Sequence, residues 1–346
     1  MKEYFVISDS HSFFSIVRKS LFRAGFRKTN KDHILVVLGD VFDRGPETLE
    51  MYNFIMSIPK RRRILVRGNH EPLFLDLMNK QYPDRYDFSN GTVRTFCQIA
   101  HEDENKLDRE YWYRKLYHEH GDLSDAPIID TGEYVRKNIM RTWEHIQDEV
   151  RKSDIVNWLV SDEWVNYFEM DKFVMVHSFI PSKPKEEYEQ YARIGYPLPD
   201  GAYTYDPNWR EPTADWYDAV WGCPYIQFNA GIFKPEADQG KVLVCGHWHA
   251  SDFHERYEMD YSGNFEIYFG KNLIAIDACT AYSKMSNVLH IKFVDGEWTC
   301  FDKYGNKLEP VNLELKEKNR LTRRIETVSY SDLTEEEKKE VDNAGN

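Results

Sequence analysis

The chain has 346 residues and a formal net charge of −13, from 45 Lys and Arg against 58 Asp and Glu. Apolar residues are 41% and charged residues 30%, which excludes a mainly disordered or fibrous chain, and no apolar run is long enough for a membrane span. The acidic balance argues against tight non-specific nucleic-acid binding, which needs Lys and Arg to neutralise phosphates, while leaving a local basic groove open.

The first 78 residues read as alternating strands and helices. Tyr4–Ile7 is a short apolar strand ending at Ser8-Asp9; with Lys2 and Glu3 before it, the start does not read as a secretory signal. Residues 12–25 predict a helix, with Phe13, Val17 and Leu21 at i, i+4 spacing and Gly25 as a stop. Ile34–Leu38 is a second strand, ending at Gly39-Asp40. Residues 46–57 predict a helix carrying Leu49, Tyr52 and Met56 on one face, with Pro46 near its start. Arg63–Arg67 is a third strand, ending at Gly68-Asn69. This alternation predicts a layered α/β core.

Residues 79–171 are charged and helix-like, with Trp143, Ile146 and Val150 in one apolar stripe, and read as an inserted helical subdomain. Phe173–Val176 returns to a buried-strand pattern and ends at His177. Residues 184–240 form a second insertion, rich in aromatics and proline. It holds 7 of the 14 prolines, and 12 aromatics lie between Tyr188 and Phe233, too dense for a solvated linker. Lys241–Cys245 is a strand ending at Gly246-His247, and Leu273–Ile276, Val288–Phe293 and Trp298–Phe301 follow as later strands. Residues 1–312 thus form one unit with two insertions, and 313–346 a charged tail.

The five cysteines, Cys97, Cys223, Cys245, Cys279 and Cys300, form no C-x-x-C pair. They predict free thiols in a reducing cytoplasm rather than a disulfide framework or a cysteine zinc site.

Five of the strands end in residues that bind metals: Asp9 and His11, Asp40 and Asp43, Asn69 and His70, His177, and His247 with His249. Ligands in open α/β folds gather at the carboxyl ends of strands, so these groups are expected to converge. The i, i+2 pairs Asp9/His11 and His247/His249 would point to one side on extended backbone. Gly39, Gly45, Gly68 and Gly246 flank them and permit tight turns. Plainer roles are open to each residue alone. Asp43 can cap the following helix, Asn69 can hold a turn, and His177 can be a hydrogen-bonded core histidine. Their joint occurrence at successive strand ends, with mixed N and O donors, points to a pair of metal ions.

Gly39-Asp-Val-Phe-Asp-Arg-Gly45 followed by Gly68-Asn-His-Glu71 resembles the calcineurin-like metallophosphoesterase superfamily. Within it, the pair is similar to the PPP serine/threonine phosphatases and their bacterial relatives, including symmetrical diadenosine tetraphosphatases. The resemblance covers residues 5–78 and 173–280 without the insertions. It implies a four-layer α/β/β/α sandwich holding two divalent ions, Mn²⁺ first, with Fe, Zn²⁺ and Co²⁺ open. It further implies that Asp40 bridges the ions, that Asp9 and His11 hold the first, and that Asn69, His177 and His247 hold the second. His70 would be the general acid, oriented by Asp43, and Arg44 and Arg67 would bind phosphate oxygens. Asp277, in Ile276-Asp-Ala-Cys-Thr-Ala-Tyr282, resembles the stretch closing the site in the bacterial relatives. The chain departs from the PPP pattern at Ser8-Asp-Ser-His-Ser12 and at His177-Ser178-Phe179. Gly246-His-Trp-His249 carries a second histidine, as in the wider superfamily, which makes His249 a fourth protein ligand of the first ion.

Two ions sharing a carboxylate can clamp attacking and leaving oxygens, and water bound to them ionises near neutral pH and attacks phosphorus in line. The expected activity is therefore hydrolysis of phosphate monoesters, on a phosphoprotein or a small ester. A nucleotide-polyphosphate hydrolase or nucleic-acid phosphodiesterase stays open, as does a non-catalytic module, which would have no need of the full donor set. The aromatic insertion reads as a lid packed on the core or a base-stacking surface. The helical insertion reads as a packed bundle or a substrate-selecting cap. His118 and His120 read as surface residues.

Overall fold

Alternate side chains of each strand face opposite layers, and this decides the layering. The computed structural model describes residues 1–120, 131–194, 196–199 and 201–311. The tail expected at 313–346 lies outside the described residues. In chain order the elements are β1 (Glu3–Ile7), α1 (Phe14–Arg23), β2 (His33–Leu38), α2 (Thr48–Met56), β3 (Arg63–Val66), α3 (His70–Leu77), α4 (Arg85–Asn90), α5 (Thr92–Ile99), α6 (Arg109–His120), α7 (Thr131–Lys152), α8 (Asp154–Leu159), β4 (Trp164–Val165), β5 (Tyr167–Met170), β6 (Phe173–Val176), β7 (Ser182–Pro184), α9 (Glu189–Arg193), β8 (Tyr203–Tyr205), α10 (Pro224–Asn229), β9 (Val242–His249), α11 (Ala250–Glu258), β10 (Tyr268–Phe269), β11 (Leu273–Asp277), α12 (Thr280–Ser283), β12 (Leu289–Val294) and β13 (Glu297–Phe301).

Two sheets form the centre, in strand orders β13-β12-β1-β2-β3-β4 and β10-β11-β9-β6-β5. In the first, β1 through β4 run parallel; in the second, β6, β9 and β11 do. Val6, Val36, Leu38 and Val66 of the first sheet meet Met175, Val244, Ile274 and Ile276 of the second in a core between the sheets. The intervening residues turn outward. Phe5, Ile7, Leu35, Val37 and Leu65 pack under Val17 and Leu21 of α1 and Met51 and Ile55 of α2. Val174, Val176, Leu243 and Cys245 pack under Phe253 of α11 and the aromatic insertion. Helices, two sheets and a further helix-bearing layer make the expected four-layer α/β/β/α sandwich. With apolar neighbours on both faces, each central strand is an unbroken apolar run, and each fully buried Val, Leu or Ile contributes about 1.5–3 kcal/mol.

The aromatic insertion does pack on the core: Trp209, Trp216 and Phe233 are buried against the second sheet. The stretch at 79–171 differs from a purely helical reading at its end. Helical character stops at Leu159, and the chain then contributes β4 to the first sheet and β5 to the second. Both strands are short and β5 is only half-buried, so neither shows an apolar run. Of the histidines at 118 and 120, the first ends in an exposed turn of α6 and the side chain of the second is outside the described residues.

Candidate active site

Parallel pairing puts the carboxyl ends of β1, β2, β3, β6, β9 and β11 at one edge of the sandwich, and the chain leaves them in strained turns. Eight of the thirteen non-glycine residues with left-handed φ among the described residues lie here: Asp9, His11, Ser12, Asp40, Asp43, Arg44, His247 and Cys279. Such backbone persists where surroundings over-determine it, and it clusters at functional sites. Close backbone approach is part of the design. A Cβ on Gly68 would fall 2.3 Å from Asp40 Oδ1.

Two donor groups share Asp40. His11, Asp40 and His70 place ligand atoms within 4.8 Å of one another, and so do Asp40, His177 and His247. In the first group His11 Nε2 and His70 Nε2 stand 3.7 and 3.8 Å from Asp40 Oδ2. In the second, His177 Nε2 stands 2.9 Å from Asn69 Oδ1, 3.2 Å from His247 Nδ1 and 3.4 Å from Asp40 Oδ1. The far nitrogens are committed. His177 Nδ1 lies 2.7 Å from the Leu38 carbonyl and His11 Nδ1 lies 2.9 Å from that of Phe42, so each ring donates its Nδ1 proton and, when neutral, carries its lone pair at Nε2. His177 Nε2, Asn69 Oδ1 and Asp40 Oδ1 then present lone pairs to one another, an arrangement that a cation between them satisfies. The residues therefore fit divalent ions, and their N and O donors without thiolate suit Mn²⁺, Fe, Zn²⁺ or Co²⁺.

The electrostatics describe the same focus. Burial works against ionised Asp40, but His177, His70 and His11 outweigh it and hold the carboxyl well below its usual range. Burial and His177 push His247 down to about 3, and burial with His70 holds His11 well below an ordinary imidazole. Burial lowers His70 too, yet Asp40 and Asp43 win and raise it to about 9. Burial and Asp9 push Asp277 well above the carboxylate range; it also caps Cys279 N at 2.7 Å.

His70 Nδ1 lies 2.6 Å from Asp43 Oδ2, and its Nε2 lies 3.4 Å from Arg44 Nη2. Arg67 leaves the end of β3 half-buried; its backbone N–H donates to the Val165 carbonyl at 2.8 Å, and its guanidinium has no partner among the described residues. Asp9 is buried between the sheets, where its Oδ2 accepts from His247 N at 2.9 Å and from Ser8 Oγ. His249 stands apart. Its side chain is 40% exposed, lies 3.9 Å from Asp252, and joins neither donor group. The i, i+2 argument fails for both pairs because the backbone is not extended there. Asp9, His11 and His247 have φ of 48°, 44° and 64°, and the β9–β11 register shifts beside His249.

Three site residues escaped the sequence reading. Glu71 is buried and accepts from Gly68 N at 2.7 Å, Val41 N at 3.0 Å and Asp40 N at 3.2 Å, tying two loops together. Its signal was present in Gly68-Asn-His-Glu71, where a carboxylate follows the donors directly. Thr92 and Thr95 of α5 hold Asp43, and nothing local marks them.

The family model for calcineurin-like phosphoesterases matches residues 4–251. No curated protein matches the chain. Among solved structures, a cold-active protein-tyrosine phosphatase from a psychrophilic Shewanella species is 14% identical, with 89% of this chain and 80% of that one covered and a TM-score of 0.44. A serine/threonine phosphatase from Saccharomyces cerevisiae is 13% identical, with 90% and 82% covered and a TM-score of 0.40. A metallophosphoesterase from Sphaerobacter thermophilus is 11% identical, with 92% and 94% covered and a TM-score of 0.36. At these identities and TM-scores none of the three informs the substrate.

Proposed function

Because the chain belongs to the calcineurin-like phosphoesterase family, which works with a dinuclear divalent metal centre, we propose that it hydrolyses phosphate monoesters, of a phosphoprotein or a small ester. In this reading Asp9 and His11 would hold the first ion, Asn69, His177 and His247 the second, and Asp40 both; His249, 40% exposed beside Asp252, would join the first only by turning its side chain inward. Mn²⁺ is the preferred metal, with Fe, Zn²⁺ and Co²⁺ open. When bound, such ions polarise phosphoryl oxygens and lower the pKa of water toward neutrality.

The protein's own groups do the rest. Arg44 and Arg67 offer planar forks to phosphate oxygens and oppose the charge that builds on them. His70, with Nδ1 bonded to Asp43 at 2.6 Å, holds a proton at Nε2 for the departing alkoxide. The observation that carries the reading is the buried Asp40 carboxylate, whose Oδ2 faces His11 and whose Oδ1 faces His177, with His70 next to it bonded to Asp43 and near Arg44. Residues 1–312 act as the catalytic unit. The five free cysteines support a reducing, cytoplasmic setting, and no helix among the described residues is long and apolar enough to cross a membrane.

One observation favours a nucleotide as second reading. Trp221, 44% exposed, stands edge-on to His247 with ring centroids 6.3 Å apart, where a base can stack. Elemental analysis with a panel of phosphopeptide, aryl monoester, aryl diester and diadenosine tetraphosphate separates the readings. Two ions per chain and preferred monoester turnover are expected. Preference for the tetraphosphate or the diester moves the assignment to the second class, and a metal-free, inert chain ends both.

A further inference from the structure

Asp43 and Arg44 are consecutive non-glycine residues in left-handed backbone, at φ 77° and 58°. Backbone of this kind needs surroundings that enforce it, and α5 of the helical insertion supplies them. Arg94 Nη1 donates to the Arg44 carbonyl at 3.0 Å, and Gln98 Nε2 donates to that of Gly45 at 2.9 Å. The Asp43 N–H donates to Thr95 Oγ1 at 3.0 Å. Gly91, at φ 82°, lets the helix come so near that a Cβ there would lie 2.3 Å from Arg44 N.

The same helix grips the Asp43 carboxylate. Thr95 Oγ1 donates to Oδ1 at 2.8 Å and Thr92 Oγ1 donates to Oδ2 at 2.8 Å, while Oδ2 also faces His70 Nδ1 at 2.6 Å. Thr92 and Thr95 are 1% and 0% exposed, so water does not compete for these bonds. The terminal torsion of an aspartate is broad. Held at both oxygens, this one has a single orientation, and the ring bonded to it has a single aim.

We propose that Thr92 and Thr95 are positioning residues of the active site, which act through Asp43 to set the direction in which His70 Nε2 presents its proton. The inference rests on the general-acid reading of His70 given above. It makes α5 a working part of the site rather than an appended cap.

Thr92→Val and Thr95→Val remove the hydroxyls at similar volume, and Thr92→Ser and Thr95→Ser keep them. In the metal-loaded full chain each valine variant is expected to lose roughly 10- to 100-fold in kcat on an alkyl phosphate. The loss on an aryl phosphate, whose leaving group needs little protonation, is expected to be far smaller, and serine is expected to restore the alkyl rate. Equal losses on both esters, no loss, or serine faring no better than valine overturns the proposal. Should Thr95→Val not fold, Thr92→Val and its serine counterpart decide. If His70→Asn itself loses equally on both esters, the general-acid reading falls separately. The positioning is then read from the downfield His70 Nδ1–H proton resonance of the zinc-loaded chain, identified by its absence in His70→Asn. An upfield move in the valine variants and not in the serine variants supports the assignment; an unmoved resonance overturns it.

Discussion

The two stretches expected as insertions, one helical and one aromatic, meet the scaffold in different ways. The helical one sends polar side chains of α5 onto a strained turn of the site, where Thr92, Arg94, Thr95 and Gln98 bond the Asp43-Arg44-Gly45 backbone and the Asp43 carboxylate. The aromatic one buries Trp209, Trp216 and Phe233 on the outer face of the second sheet and is pinned there by Arg210, which bridges Glu169 and Asp238. Both are buried, so burial alone does not tell them apart. The chemistry of the buried contact does: hydrogen bonds to a strained turn set directions at the site, whereas apolar contacts set stability.

The largest expected effect tests the frame on which both insertions rest. Asp40→Asn removes the shared donor and should abolish turnover and bound metal together, as read by elemental analysis; a variant that keeps two ions breaks the bridging assignment. His70→Asn should retain metal and lose about 10²–10⁴-fold on an alkyl phosphate, with much less lost on an aryl ester, in steady-state assays.

Two tryptophans then set the insertions against each other. Trp143 is buried and stacks on Phe96 of α5 with centroids 5.7 Å apart; Trp209 is buried against Tyr167 and Trp216. Alanine at either should cost about 3–5 kcal/mol in urea unfolding. Only Trp143→Ala should also lower turnover per folded molecule, because it loosens the helix that holds Asp43. Equal turnover losses from both would dissolve the distinction drawn above.

Gly91 and Gly231 sharpen it further. Both have left-handed φ, 82° and 70°, but nothing lies within 4 Å of a Cβ at Gly231, whereas at Gly91 it meets Arg44 backbone. Gly231→Ala should cost only the backbone strain, about 1–2 kcal/mol, with kcat unchanged. Gly91→Ala should cost more and reduce kcat as Arg44 is displaced.

The smallest effect is acid sensitivity in the aromatic insertion's anchor. Hydrogen bonds from Arg210, against partial burial, and then from Lys241 hold the Glu169 carboxyl down at about 2 instead of its ordinary 4.5. The unfolded chain takes up this proton first as pH falls, so the contribution is complete above about 4.5 and fades toward 2. Glu169→Gln should therefore narrow the difference between urea midpoints at neutral and acid pH; an unchanged difference removes Glu169 from the anchor.

Much of the scaffold was legible beforehand because its cause is local. Unbroken apolar runs such as Ile34–Leu38 or Phe173–Val176 mark strands covered on both faces. Asp40, Asn69, His177 and His247 stood out because polar donors directly follow such runs. β4 and β5 were hidden because edge strands are short and half-buried, so neither alternation nor continuity appears.

What the sequence by itself determined was which strands end together and which donor types they bring, since apolar period and chain polarity decide sheet membership and direction. Only the tertiary structure decided where those donors aim. His249 left the group because His247 turns left-handed and β9 shifts register beside it. Thr92 and Thr95 joined the site because folding carries them across about fifty residues of chain to Asp43. Their hydroxyls acquire meaning from a partner that no local pattern names, for a hydrogen bond depends on distance and direction in space and not on separation along the chain.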